Sequence, residues 1–219
     1  MLSLTLGNPT TPLKRLLAVG AHADDIEIGC GGTLLRLIEA QPDIEIDWVV
    51  LSGRGVRADE ARRSAERWLQ GAARASIVIR EFEDGFFPYH GATIKRLFEE
   101  LKSDLRPDLI LTHYGRDGHQ DHRLVSELTW NTFRDHFILE YEVPKYDADL
   151  GSPNLFVSVS DEMCGQKIAR LLELFESQRE RRWFTEDVFR SVLRLRGMEC
   201  NSPTRYAEAF YCRKIVATL

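Results

Sequence analysis

The chain has 219 residues, 43% of them apolar and 29% charged, which at roughly 150 residues per domain favours one large domain spanning 1–219 and excludes intrinsic disorder. Lys and Arg number 29 against 34 Asp and Glu, a formal net charge of −5, so no global positive field exists to hold a phosphate backbone and nucleic acid is excluded as a general partner. No stretch approaches eighteen consecutive apolar residues, so no integral membrane segment is expected.

In chain order, Leu16 to Ala21 (LLAVGA) is a short continuous apolar run, as expected of a strand buried on both faces of a parallel sheet. Similar runs recur at Ile46 to Ser52, Ser76 to Phe82 and Asp108 to His113. Helical patterns lie between them at Gly32 to Ala40, Ala58 to Gln70 and Ala92 to Leu105. This alternation predicts an α/β fold, a Rossmann-like three-layer sandwich with a mostly parallel sheet. Further on, helices are expected from His122 to about His136 and from Asp161 to about Arg182, with a late strand at Tyr206 to Val216. The polar, turn-rich stretch Tyr141 to Asn154 reads as a surface loop near a rim. MLSLTLGNPTTPLKRLLAVGA has no basic segment ahead of an apolar run, so no signal peptide is expected. Cys30, Cys164, Cys200 and Cys212 are scattered without a CxxC pair, which fits a reducing cytoplasm.

Open α/β sheets bind ligands beyond the carboxyl ends of their strands. Four of the six histidines fall in or beside two such positions: His22-Ala23-Asp24-Asp25 after the first strand, and the stretch from His113 to His122 after the fourth. His22 and Asp25 stand at i and i+3, and His119 and His122 repeat that spacing, which suits convergence on a divalent metal. Imidazoles and a carboxylate leave such an ion positively charged with open positions, able to lower the pKa of water towards about 7. Asp24, beside Asp25, can then take the water's proton as general base. Asp-Asp at a helix start could merely cap it. The joint presence of His119 and His122 argues for more than a cap. Gly29-Cys30-Gly31-Gly32 fails as a dinucleotide fingerprint because residue 34 is Leu and the preceding loop is acidic, so these glycines are read as permitting close packing.

Ala21-His22-Ala23-Asp24-Asp25 together with His119-Gln120-Asp121-His122 resembles the PIG-L (LmbE-like) zinc-dependent N-deacetylases. The resemblance extends to GCGGTL, Arg57-x-x-Glu60, Asp84-Gly85, His113, Asp117 and Tyr206-Ala-Glu-Ala-Phe210. It implies His22, Asp25 and His122 as ligands of Zn²⁺ or another divalent metal such as Fe or Co, and Asp24 as general base. It further implies His119 as the electrophilic or acid partner and Asp121 as the carboxylate that orients a histidine. Arg57, Asp84, His113 and Asp117 are then candidates for binding the substrate, a small N-acetylated amino sugar conjugate. Ala23 stands where the family usually has proline and Ile26 where it often has glutamate.

Two other function classes compete: non-haem Fe(II) oxygenation, which also uses two histidines and a carboxylate, and a non-catalytic nucleotide-binding α/β module. Asp24 argues against the first, the failed fingerprint and acidic rim against the second. Homo-oligomerisation is compatible with the sequence. The Arg-rich stretch Gln178 to Arg196 is read first as a solvated helix face, and alternatively as a border of the cleft that recognises an anionic aglycone through residues such as Arg181 and Arg182.

Overall fold

The computed structural model describes residues 4–7 and 12–216, so most of the segment read for a signal peptide before residue 12 lies outside the described residues. The chain alternates β1 (Arg15–His22), α1 (Asp25–Ala40), β2 (Glu45–Ser52), α2 (Val56–Trp68), β3 (Arg74–Ile79), α3 (Gly91–Asp104), β4 (Leu109–His113) and α4 (Gln120–Thr132). It continues through β5 (Phe137–Tyr141), β6 (Leu155–Val159), α5 (Asp161–Leu174), α6 (Glu186–Glu199) and β7 (Tyr206–Cys212). The strands form one sheet in the order β3-β2-β1-β4-β5-β7-β6. Neighbours from β3 to β5 run parallel, and β7 alone is antiparallel, to both β5 and β6.

The continuous apolar runs are explained by burial on both faces. Leu16, Ala18, Trp48, Val50, Leu111 and Leu139 pack on one side with Ile26, Leu34, Trp68, Ile168 and Leu193 from α1, α2, α5 and α6. Alternate residues Leu17, Val19, Val49, Leu51, Ile110 and Ile138 pack on the other with Ile94, Phe98, Val125 and Leu128 from α3 and α4. The fold is therefore the expected three-layer α/β sandwich with a mostly parallel sheet.

The second half departs from the expectation in several places, among them the late strand, which ends at Cys212 instead of Val216. The helix expected to reach His136 stops at Thr132, where Phe133 turns inward and the chain enters β5 directly. The helix expected to run to Arg182 ends at Leu174, because Phe175 is buried against Phe184 while the backbone N–H and the hydroxyl of Ser177 bond to Glu60. A separate helix, α6, follows. β6 went unread because its residues are only half-buried at the sheet edge and carry no clear two-residue alternation.

The winding reverses at β1, whose neighbours are β2 and β4. The carboxyl ends of β1 and β4 therefore flank the crevice where α/β sheets bind ligands. His22 ends β1 and His113 ends β4.

Candidate metal centre

Two tight connections carry the site. Asp24 is the N-cap residue of α1, yet its side chain makes no capping bond; its Oδ1 accepts from Arg57 Nη2 at 2.6 Å instead. Capping thus does not explain the paired aspartates. α1 starts at Asp25, well ahead of the expected Gly32, and is kinked at Cys30 (φ −142°). The kink needs glycines around it: a Cβ on Gly29 would lie 2.1 Å from the Tyr141 ring, and one on Gly32 2.9 Å from Val159. On the other side, His119 caps α4, its Nδ1 accepting from the Asp121 N–H at 3.3 Å.

These turns bring together the four histidines that sequence placed after β1 and β4. His22 Nδ1 lies 3.1 Å from His122 Nε2 and 3.2 Å from Asp25 Oδ2, and His122 Nε2 lies 3.4 Å from the same oxygen. Two ligands each about 2.1 Å from one ion, at angles between 90° and 110°, stand about 3.0 to 3.4 Å apart. The triangle has the edges that a divalent cation requires. Its other nitrogens face carboxylates: His22 Nε2 is 3.3 Å from Asp121 Oδ2 and 3.0 Å from Asp84 Oδ1, and His122 Nδ1 is 3.0 Å from Asp117 Oδ2. Such partners fix which ring nitrogen faces a metal. Overlapping triads, His22-His119-His122 and Asp25-His113-His122, share the same corner of the crevice.

The electrostatics also call for a cation. Burial pulls the His22 and His122 imidazoles down, but the Asp25 carboxylate and the other carboxylates outweigh it and raise both, His22 strongly. Burial pushes Asp25 up, and His122, His113 and His22 more than reverse this, holding it well below the usual carboxylate range. A metal ion would supply at the triangle the positive charge that bound protons otherwise provide. The donor set therefore fits a divalent metal.

Around the triangle, burial raises Asp24, the Arg57 guanidinium counters that rise and the Asp25 charge adds to it. Burial and the charges of His122 and His22 lower His119. A neutral His119 whose Nδ1 accepts from backbone carries its proton on Nε2, where it can donate.

Two candidate substrate contacts, His113 and Asp117, are buried in the structure. His113 is wholly buried, its ring stacked 3.9 Å from His122 and its Nε2 accepting from the Ala21 N–H; burial and His122 lower it to about 4. Asp117 is also buried, behind His122. Both lie against His122, beneath the candidate ligands. Arg57 is engaged by Asp24 and Glu60 and lies over the Phe175 ring, 5.6 Å from its centroid. Its first duty is to Asp24. Asp84, with 72% of its side chain exposed, stands at the mouth. Asp121 does more than face His22: it also accepts from the N–H groups of Gly85 and Phe87, tying the 85–87 segment to the centre. Lys145, unread in sequence, reaches Asp117 at 2.9 Å from the loop after β5.

A match to the family described as GlcNAc-PI de-N-acetylase (PIG-L) covers residues 17–133, which include His22, Asp25, His119 and His122. The chain belongs to this family. Among its relatives, an uncharacterized deacetylase, YaiS, of Escherichia coli K12 is 31% identical over 72% of this chain and 89% of that protein. The diacetylchitobiose deacetylase of Thermococcus kodakarensis is 26% identical over 86% of this chain and 77% of its own length. Among solved structures, GalB, the 4-carboxy-2-hydroxymuconate hydratase of Pseudomonas putida KT2440, superposes with a TM-score of 0.71 at 18% identity, covering 94% of this chain and 98% of its own. The de-N-acetylase fold thus also serves a hydratase, and the chemistry of this chain has to be argued from its site.

Proposed function

We propose that the protein is a zinc-dependent hydrolase that removes the acetyl group from an N-acetylated amino sugar conjugate. The observation that carries this reading is the triangle of His22 Nδ1, Asp25 Oδ2 and His122 Nε2, with edges of 3.1 to 3.4 Å, beside a carboxylate outside the triangle, Asp24. The ion would lower the pKa of water towards about 7 and polarise the amide carbonyl.

The protein's own groups supply the rest. Arg57 holds Asp24 2.6 Å away and favours its ionised form, leaving Asp24 able to accept the proton of the attacking water. His119 donates from Nε2 to the oxygen that becomes negative at the tetrahedral stage. His119, whose Nδ1 accepts from backbone, acts as an electrophile through Nε2, and the proton held by Asp24 is the one delivered to the departing amine. Asp121 fixes the His22 ring. Asp84, exposed at the mouth, is placed to accept from a sugar hydroxyl. The substrate class follows from the family and from the diacetylchitobiose deacetylase relative. The four cysteines are unpaired, in keeping with a reaction in the reducing cytoplasm.

The test combines elemental analysis of the purified protein with acetate release from N-acetylglucosamine, diacetylchitobiose and acetylated sugar nucleotides, with and without a chelator. Stoichiometric zinc and chelator-sensitive acetate release are expected. Release unaffected by metal removal, or a turnover that requires dioxygen, would overturn the reading.

A further inference from the structure

We infer that Lys145 is a positioning residue for the metal centre, acting through Asp117 on both His122 and His119. The inference rests on the metal-site reading above. Lys145 lies in the loop after β5, and only 11% of its side chain is exposed. Its ammonium has three acceptors for three protons: Asp149 Oδ2 at 2.6 Å, Asp117 Oδ1 at 2.9 Å and the Val143 carbonyl at 3.3 Å, with Asp147 Oδ2 further off at 3.8 Å. A long side chain saturated in this way has given up the rotamer freedom that makes surface lysines weak anchors.

What Lys145 grips is the carboxylate that sets the histidines. Asp117 Oδ2 lies 3.0 Å from His122 Nδ1, while Oδ1 accepts the His119 N–H at 2.7 Å as well as the ammonium. The same loop takes hold a second time, since Asp149 Oδ2 accepts the Gly118 N–H at 2.6 Å. From the other side Arg123 donates to the carbonyls of Asp117 and Gly118. The connection from β4 to α4, which ends at His119 and leads into His122 in the first turn of α4, is therefore strapped to the loop after β5 through one lysine and one aspartate.

Removing the ammonium has a definite consequence. Asp117, Asp147 and Asp149, which stand close enough to be considered together as ligands, would lose the cation that holds them in place and repel one another. Asp117 would then be free to rotate away from His122 Nδ1, and the ring would no longer be held with Nε2 towards the triangle. Loss of such an outer carboxylate contact costs about 10- to 100-fold in metal affinity. Lys145→Met keeps most of the stem's length and apolar packing but lacks the charge, whereas Lys145→Arg retains a cation able to bond both aspartates.

The experiment measures Zn²⁺ affinity of the purified full chain by competition with a chelating dye, and the visible absorption of the Co²⁺-loaded protein as a report on ligand geometry. Lys145→Met should bind Zn²⁺ about 10- to 100-fold more weakly than the parent and show an altered Co²⁺ spectrum, while Lys145→Arg should restore both most of the way. Thermal unfolding of the metal-free proteins serves as the folding control. Affinity and spectrum unchanged in Lys145→Met, tighter binding, or an equal loss in Lys145→Arg would each overturn the inference. If the Met variant does not fold, Asp149→Asn, which weakens the grip while keeping the lysine, should lower Zn²⁺ affinity in the same direction, and an unchanged affinity would again overturn it. A parent chain that bound no divalent ion would instead bring down the metal-site reading itself.

Discussion

Two buried clusters of charge lie on different parts of this sheet, and they are built in opposite ways. In one, Lys167 of α5 meets Glu208 of β7 at 2.6 Å and also bonds the Ile28 carbonyl, while the Glu208 carboxylate accepts the N–H groups of Gly32 and Thr33 just after the kink in α1. Arg196 of α6 nearby makes a two-pronged contact with Glu142, at 2.6 and 2.8 Å, and further bonds to Glu199 and the Gly151 carbonyl. There the protein's own cations complete the pairing. In the other, at the ends of β1 and β4, His22, His122 and Asp25 converge on a point that, among the described residues, no lysine or arginine side chain reaches; Arg57 and Lys145 stop one carboxylate away, at Asp24 and Asp117. A closed cluster is architecture, and an open one is a place prepared for a cation from outside.

The contrast can be broken most sharply at the open cluster. His122→Ala removes one corner of the triangle and is expected to empty the site and abolish acetate release. A folded His122→Ala protein with full metal content would mean that other atoms hold the ion. Next in size, Asp24→Asn should keep the metal but slow kcat by about 10² to 10⁴, since an amide cannot accept the water's proton. A kcat within a few-fold of the parent would move the base elsewhere.

The closed cluster should respond in stability and not in metal binding. Lys167→Met leaves the Glu208 carboxylate buried without its cation and is expected to cost about 3–5 kcal/mol in urea unfolding, with Zn²⁺ affinity little changed. A large loss of affinity in a folded Lys167→Met protein would show that the kink in α1 transmits strain to Asp25, and that the two clusters are not separate. The smallest expected effect concerns the Arg-rich stretch. The structure divides it: Arg196 is buried in the closed cluster and Arg190 pairs with Glu186 on α6, whereas Arg181 and Arg182 are exposed on the segment that follows Ser177. Ser177 bonds Glu60 and lies 3.4 Å from Arg57, so this segment borders the centre. Replacing Arg181 and Arg182 together by alanine is expected to raise KM for an anionic sugar nucleotide by a few-fold, on the order of one weak charge-assisted contact, and to leave neutral N-acetylglucosamine unaffected. Equal effects on both substrates would assign the pair to a plain surface role.

The sequence by itself made the α/β alternation of the first half legible, because apolar runs buried on both faces of a parallel sheet are continuous and easily read. Spacing and strand ends singled out His22, Asp25, His119 and His122, but only the sheet order, with β2 and β4 on either side of β1, puts the residues that follow β1 and β4 in one crevice. Tertiary structure decided the rest, because direction and burial of a side chain are set by what packs over it. His113 and Asp117 share a segment with His119, yet they face inward and support the histidines from beneath. Arg57 and Asp24, 33 residues apart, become partners only once α2 lies against the start of α1. Lys145 sits in a polar loop with no motif, and its role exists only because that loop folds back onto Asp117. A local pattern records which residues can bind a metal; the fold alone selects which carboxylate stands behind each ligand, since those contacts join segments with no fixed separation in the chain.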